Sequence, residues 1–293
     1  MDSGPKQISL DSDWHVHTHY SDGLASVEDV VRRASGLGLT RIAITDHDCI
    51  EAHIDQKFVE FGQAHQVYIV PGVEIDCCLG DKETEILGFG FDANNPDLKK
   101  RLALVQQDRT ERFDFLCRGL AEQGEPIEPG SVLSPFVKTP IKVHLYRALA
   151  KQGRTFEAGY KEFKALLDDL GPAPPVNKPG IEEAVELIKR AGGYSLLAHP
   201  LFFAERIGLD RLFDAGRAAG CAGLELFYPY EFGEKGLDID RVRSGMRQIM
   251  ELAGKYFPKG AEASRGTDVH DLDEWKERLA SVRTWEETFL PGA

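Results

Sequence analysis

Residues 13–23 read "DWHVHTHYSDG", which places three of the chain's nine histidines and two aspartates within eleven positions. Imidazole nitrogens and carboxylate oxygens together suit Zn2+, Mn2+ or Fe2+. His15 and His17 are two apart, so on a strand both project from the same face and can hold one cation. A His-x-His pair alone is a weak signal, and a solvated pair near a turn explains it equally well. His19 directly precedes the turn signal "SDG". It is expected behind the ligands or at the surface.

Four later segments shift the balance. "TDHD" (45–48) follows the apolar run "RIAI", "PGVEID" carries Glu74, "LLAHP" ends on His199, and "GTDVH" carries Asp268 and His270. Five histidines (His15, His17, His47, His199 and His270) thus stand at or just past expected strand ends. In a parallel α/β barrel those ends share one face and hold the active site. Plainer readings exist: His199 as a buried, hydrogen-bonded histidine ahead of Pro200, and Asp46 as a turn or cap residue. Five coincident strand ends favour a metal site.

The elements that must position these groups are visible in the pattern. "SVEDVVRRASGLGL" is a helix capped by Ser26 and Asp29 and stopped by Gly36 and Gly38. "RIAIT" (41–45), "HQVYIVPGVEI" and "TEILGFGF" (84–91) are strands, the second interrupted at Pro71-Gly72. The alternation argues for parallel strands with helices outside. Residues 96–175 read as helices and loops, ending in the proline-rich "GPAPPVNKPG". We take them as a helical insertion, with residues 1–95 and 176–293 forming the main α/β domain. Alternation resumes with the amphipathic helix "IEEAVELIKRAGG" and closes on the helix "DLDEWKERLASVRTWEETFL".

Composition narrows the function. The chain has 293 residues, 42% hydrophobic, with a net charge of −13. That balance disfavours an extended track for duplex nucleic acid or an anionic membrane. No apolar run reaches membrane-spanning length, and the start lacks the apolar stretch of a signal peptide. Cys49, Cys77, Cys78, Cys117 and Cys221 show no paired framework. A cytoplasmic location is therefore expected. The oligomeric state is not encoded in any pattern.

The pieces "DWHVHTHYSDG", "AITDHD", "VPGVEI", "EILGFGFD", "AGGYSLLAHP", "GLELFYP" and "GTDVH" resemble, in order, the PHP-domain (polymerase and histidinol phosphatase) metal-dependent phosphoesterases. The stretch from "LVQQDRTERF" through "KVHLYRALAKQG" resembles the insertion of the nucleotide- and oligonucleotide-cleaving branch. The resemblance implies a distorted (β/α)7 barrel with a small helical insertion and two or three divalent metals, Mn2+, Zn2+ or Fe2+. Position by position it implies the ligands His15, His17, Asp22, His47, Glu74 (bridging), His199, Asp268 and His270. Glu85 stands where the family usually has a third-strand histidine, and Lys142 in "KVH" where relatives often have arginine.

The expected activity is hydrolysis of a phosphate ester of a small molecule, a nucleotide or another phosphorylated metabolite. A water shared by two cations loses a proton near neutral pH and attacks phosphorus. Asp268 is the expected proton acceptor, with His199 as the alternative. Lys142, His144, Arg265, Arg109 and Arg112 are the candidate phosphate contacts, and Phe227 and Tyr228 a candidate stacking wall. An amidohydrolase-type reaction and a non-catalytic interaction module are the alternatives, because barrel metal sites serve several chemistries.

Overall fold

The computed structural model describes residues 11–233, 236–257 and 262–290. β1 (Ser12–Val16), α1 (Val27–Gly36), β2 (Arg41–Ile44), α2 (Gln56–Ala64) and β3 (Tyr68–Leu79) open the chain as parallel strands with helices between them. The Ser26 Oγ accepts from Asp29 N and starts α1, whose Val27, Val30, Val31 and Ala34 are buried against the sheet.

Two departures from the expected pattern occur here. β3 does not break at Pro71-Gly72 but runs through them. Pro71 lacks the N–H of a ladder bond, and the His53 imidazole occupies the gap. Its Nε2 lies 2.9 Å from Ile44 O and 3.1 Å from Gly72 N. The next strand, β4 (Lys82–Phe89), is antiparallel to β3, pairing Glu74 with Leu87 and Asp76 with Glu85. Gly80, at φ +67°, makes the tight turn between them.

After β4 the chain enters a run of helices: α3 (Pro96–Glu122), α4 (Pro129–Val132), α5 (Lys142–Lys151) and α6 (Tyr160–Asp168). Phe113, Leu116, Leu120, Leu145, Leu149 and Phe163 bring α3, α5 and α6 together in an apolar cluster separate from the barrel's. The first turns of α3 belong elsewhere, because Leu98 and Leu102 pack into the barrel cluster. One continuous helix therefore joins the two cores.

The barrel then resumes with α7 (Ile181–Arg190), β5 (Tyr194–Leu197), α8 (Ala204–Ile207), α9 (Leu209–Ala219), β6 (Gly223–Phe227), α10 (Ile239–Tyr256), β7 (Glu262–Arg265) and α11 (Trp275–Phe289). β4 is antiparallel to β5, while β5, β6 and β7 are parallel, giving one seven-stranded sheet in the order β1 to β7. The sheet closes on itself just past β7, where Val16 bridges Val269, His17 N donates to Val269 O and Asp268 N donates to His15 O. The result is the distorted seven-stranded α/β barrel, with one strand reversed. None of the five cysteines is paired. Among the described residues no helix is long and apolar enough to cross a membrane.

Candidate metal centre

Every parallel strand sends a donor to the same end of the barrel. β1 and the turn after it carry His15, His17 and Asp22; the segment after β2 carries His47; β3 carries Glu74; the end of β5 leads to His199; β6 carries Glu225; and the loop after β7 carries Asp268 and His270. The reversed β4 adds Glu85 from mid-strand. Among the described residues donor atoms converge in four overlapping sets, each within 4.8 Å: His17, Asp22, His47 and His270; His15, His17, Glu74 and Asp268; His15, His199 and Glu225; Glu74, Glu85 and His199.

The distances describe a shared centre. The Nε2 atoms of His15 and His17 face each other at 3.1 Å. Asp268 Oδ1 lies 3.0 Å from His17 Nε2, and Glu74 Oε2 lies 3.2 Å from His15 Nε2. Glu74 Oε1 reaches His199 Nε2 at 2.9 Å, and Glu85 Oε2 is 3.4 Å from that same nitrogen. On the other flank His270 Nε2 is 3.1 Å from Asp22 Oδ2.

The chemistry of this donor set fits divalent cations. His47 Nδ1 and Glu74 Oε2 are buried 3.2 Å apart, yet neither makes a hydrogen bond. Buried polar atoms are rarely left so, and a cation beside them would satisfy both. The charges agree. Burial opposes ionised carboxylates, but the surrounding histidines hold Glu74, Asp22 and Asp268 well below the usual carboxylate range. Burial likewise opposes the His17 imidazolium, yet the Asp268 and Glu74 carboxylates beside it raise its pKa to about 9. The pocket is built for positive charge at its centre.

A surrounding layer fixes the donors. Glu225 accepts from His15 Nδ1 (3.0 Å) and from His199 N (2.9 Å), so His15 presents Nε2 to the centre. Gly266 makes room for this pair: a Cβ there would meet Glu225 Oε1 at 2.2 Å and His15 Cβ at 2.3 Å. Asp46 accepts from Thr18 and Ser21, fixing the turn that holds Asp22. Asp13 accepts from Thr267 and from Trp275 Nε1, tying the loop after β7 to β1. Asp268 itself sits at φ +50°, a strained conformation for a residue with a side chain. Its Oδ2 accepts from Tyr228 Oη at 2.6 Å.

Several expected site residues lie elsewhere. Arg109 is buried and donates to Asp48 (3.0 Å from Nε) and to Asp76 (2.7 Å from Nη2). Arg265, also buried, donates to Ser12 O and Glu286. Both are taken up by the protein's own acceptors, which corrects their assignment to phosphate. His144 Nδ1 accepts from Ile141 N at the start of its own helix, and Nε2 donates to Ser21 O at 3.0 Å, docking α5 onto the β1–α1 turn, so both ring nitrogens are engaged. Arg112 and Lys142 line a different cavity of about 500 Å3 with Leu116, Leu167 and Asp168, between α3, α5 and α6. Phe227 and Tyr228 are buried core residues and offer no open stacking face. His19 lies outside the centre, stacked on Phe136.

Sequence reasoning misses Glu225, Asp13 and Asp76. Glu225 is a carboxylate in a five-residue strand that is buried throughout. An ionisable group in such a run needs partners, and that is the signal that points to it.

A family model described as the PHP domain matches residues 13–166, more than half of the chain. The chain belongs to the PHP domain family and is a metal-dependent phosphoesterase, a hydrolase of ester bonds. It is 27% identical over 275 residues to the 5'-3' exoribonuclease Rnm of Escherichia coli, covering 90% of this chain and 87% of that protein. It is 26% identical over 277 residues to the 3',5'-nucleoside bisphosphate phosphatase of Chromobacterium violaceum, covering 88% of this chain and 86% of that one. A Bifidobacterium adolescentis protein provisionally assigned as a metal-dependent phosphoesterase shares the fold, with a TM-score of 0.73 at 23% identity over 95% of this chain and 98% of that one.

Proposed function

We propose that this protein hydrolyses the phosphate ester of a nucleotide or short oligonucleotide at two or three divalent cations, Mn2+, Zn2+ or Fe2+. The observation that carries the reading is the buried convergence of His15, His17, Glu74, His199 and Asp268, with His47 Nδ1 and Glu74 Oε2 buried beside it and without a hydrogen-bond partner. The relatives' names, an exoribonuclease and a nucleoside bisphosphate phosphatase, support the nucleotide class. The net charge of −13 argues against a long duplex.

His15, His17, Glu74 and Asp268 would hold one cation; Asp22, His47, Glu74 and His270 a second; Glu85 and His199, with Glu74, a third. Bound cations would supply a Lewis-acidic centre and an acidified water. The chain's own groups do the rest. Asp268 keeps Oδ1 at the centre while Tyr228 holds Oδ2, so the carboxylate cannot rotate and can accept the water's proton at Oδ1. With the third site empty, His199 Nε2, at 2.9 Å from Glu74, could hold a proton for the leaving oxygen; with that site filled, it would be a ligand instead. Lys142 and Arg112, in the separate cavity between α3, α5 and α6, could meet only a distant part of the substrate.

The test is a panel of nucleoside monophosphates, 3',5'-bisphosphates, short oligoribonucleotides, sugar phosphates and plasmid DNA, assayed with Mn2+ and after chelation. We expect metal-dependent release of phosphate or mononucleotide from the nucleotide substrates. Full activity in a metal-free sample, or preference for duplex plasmid, would refute the proposal.

A further inference from the structure

The β1–α1 turn has two sides. Its inner side carries His17 and Asp22; its outer side carries His19 and Tyr20, against which the loop after α4 is laid. Lys138 N donates to Tyr20 O at 2.9 Å and fixes this contact. Phe136 stacks on His19 with ring centroids 4.6 Å apart and planes within 6°. Tyr20 stands edge-on to both rings, at 5.0 and 6.3 Å. Despite this support Phe136 remains 49% exposed. Lys138, two residues on, is exposed and makes no ion pair with another described residue.

A rigid, half-open aromatic ring beside a free cation is the pairing that holds single-stranded nucleic acid: the ring takes a base, the cation a phosphate. Position supports this use. His19 is two residues from His17, so their Cα atoms are at most about 7 Å apart. The turn that carries His17 to the centre thus also carries the partners of Phe136, and a strand with its terminal phosphate at the metal centre would reach Phe136 by crossing that turn. The buried Phe227 and Tyr228 cannot serve this purpose.

We propose that Phe136, backed by His19 and Tyr20 and flanked by Lys138, is a stacking subsite for a base beyond the scissile phosphate of a single-stranded oligonucleotide. This rests on the nucleotide reading above and adds to it a preference for chains longer than one nucleotide.

The experiment compares kcat/KM for a hexaribonucleotide and for a nucleoside 3',5'-bisphosphate. Phe136→Ala is expected to lower the hexamer-to-bisphosphate ratio by roughly 5- to 150-fold, the loss of one stacked base, and Phe136→Trp to restore it. Binding of a fluorescent phosphorothioate hexaribonucleotide is followed in parallel by anisotropy. There Lys138→Gln should reduce the slope of log K against log salt by about 0.7. Equal loss on both substrates would mark Phe136 as a structural clasp, and an unchanged ratio or slope would likewise overturn the subsite. If the wild-type protein hydrolyses no nucleotide at all, the underlying reading fails instead, while the anisotropy titration still decides whether the subsite exists.

Discussion

Replacing Glu225 by glutamine tests the logic of the metal centre at one atom. The carboxylate is buried and accepts two hydrogen bonds, from His15 Nδ1 at 3.0 Å and from His199 N at 2.9 Å. Glutamine keeps the shape but has one acceptor and one donor group. The backbone N–H of His199 can only donate. If the amide oxygen turns to it, the NH2 faces His15 Nδ1, which must become an acceptor and move its proton to Nε2. That proton then occupies the lone pair aimed at the centre, and metal affinity should fall about 10- to 100-fold, or about 1.4–2.7 kcal/mol. If the amide turns the other way, two buried donors oppose each other at about 1–3 kcal/mol, and the loss appears as stability. Chelator competition reads the first outcome and thermal unfolding in excess EDTA the second. Metal affinity within twofold of wild type together with an unchanged EDTA melting temperature would refute the reasoning.

Asp268→Asn should keep the fold and lower kcat by at least 100-fold, since the amide neither carries charge nor accepts a proton; turnover within a few-fold of wild type would remove Asp268 from its assigned role. Arg109→Gln should cost about 3–5 kcal/mol in urea unfolding, because Asp48 loses its buried counter-ion and Asp76 keeps only Lys178 and His47; a loss below about 1 kcal/mol would show that these charges are already solvated. In EDTA the melting temperature should fall as pH rises from 6.5 to about 9, because the raised pKa of His17 makes its contribution full below the ordinary value of 6.5 and absent above about 9. The lowered carboxylates of Asp22, Glu74 and Asp268 act at the other limb, stabilising above their ordinary range and losing that contribution as pH falls. Added Mn2+ should reverse the alkaline trend, since it needs neutral imidazoles; a flat EDTA profile from pH 6.5 to 9 would contradict this.

The histidines of the centre are legible in the sequence because they stand at or just past strand ends, whereas Glu74 and Glu85 lie inside β3 and β4. Strand direction alone then brings His15, His47, His199 and His270 to one face. Groups that act through another residue are not legible in this way. Glu225 sits inside a strand, and nothing local shows that its partners are 210 and 26 residues away. Charge is equally opaque: Arg109 and Arg265 look like free cations in an acidic chain until tertiary contact buries them against Asp48, Asp76 and Glu286. The reversal of β4 has a local signal, the Gly80-Asp81 turn between two strands, but the alternation of helix and strand on either side masks it. Phe136 lies in a loop without periodicity, so only the folded chain shows that it meets His19.

The single helix shared by both cores makes the orientation of the cap, the second helical cluster of α3 to α6, a matter of phase. Between Leu102, seated in the barrel, and Phe113, seated in the cap, α3 contains neither glycine nor proline. Inserting one residue there would turn everything beyond it by about 100° and advance it by about 1.5 Å. Arg109 would swing away from Asp48, and the loop bearing Phe136 would leave the barrel mouth. Seven residues, close to two whole turns, would nearly restore the angle but lift the cap by about 10 Å. A chimera that grafts another cap onto this barrel must therefore match the helical register of α3 before any side chain of the site is considered.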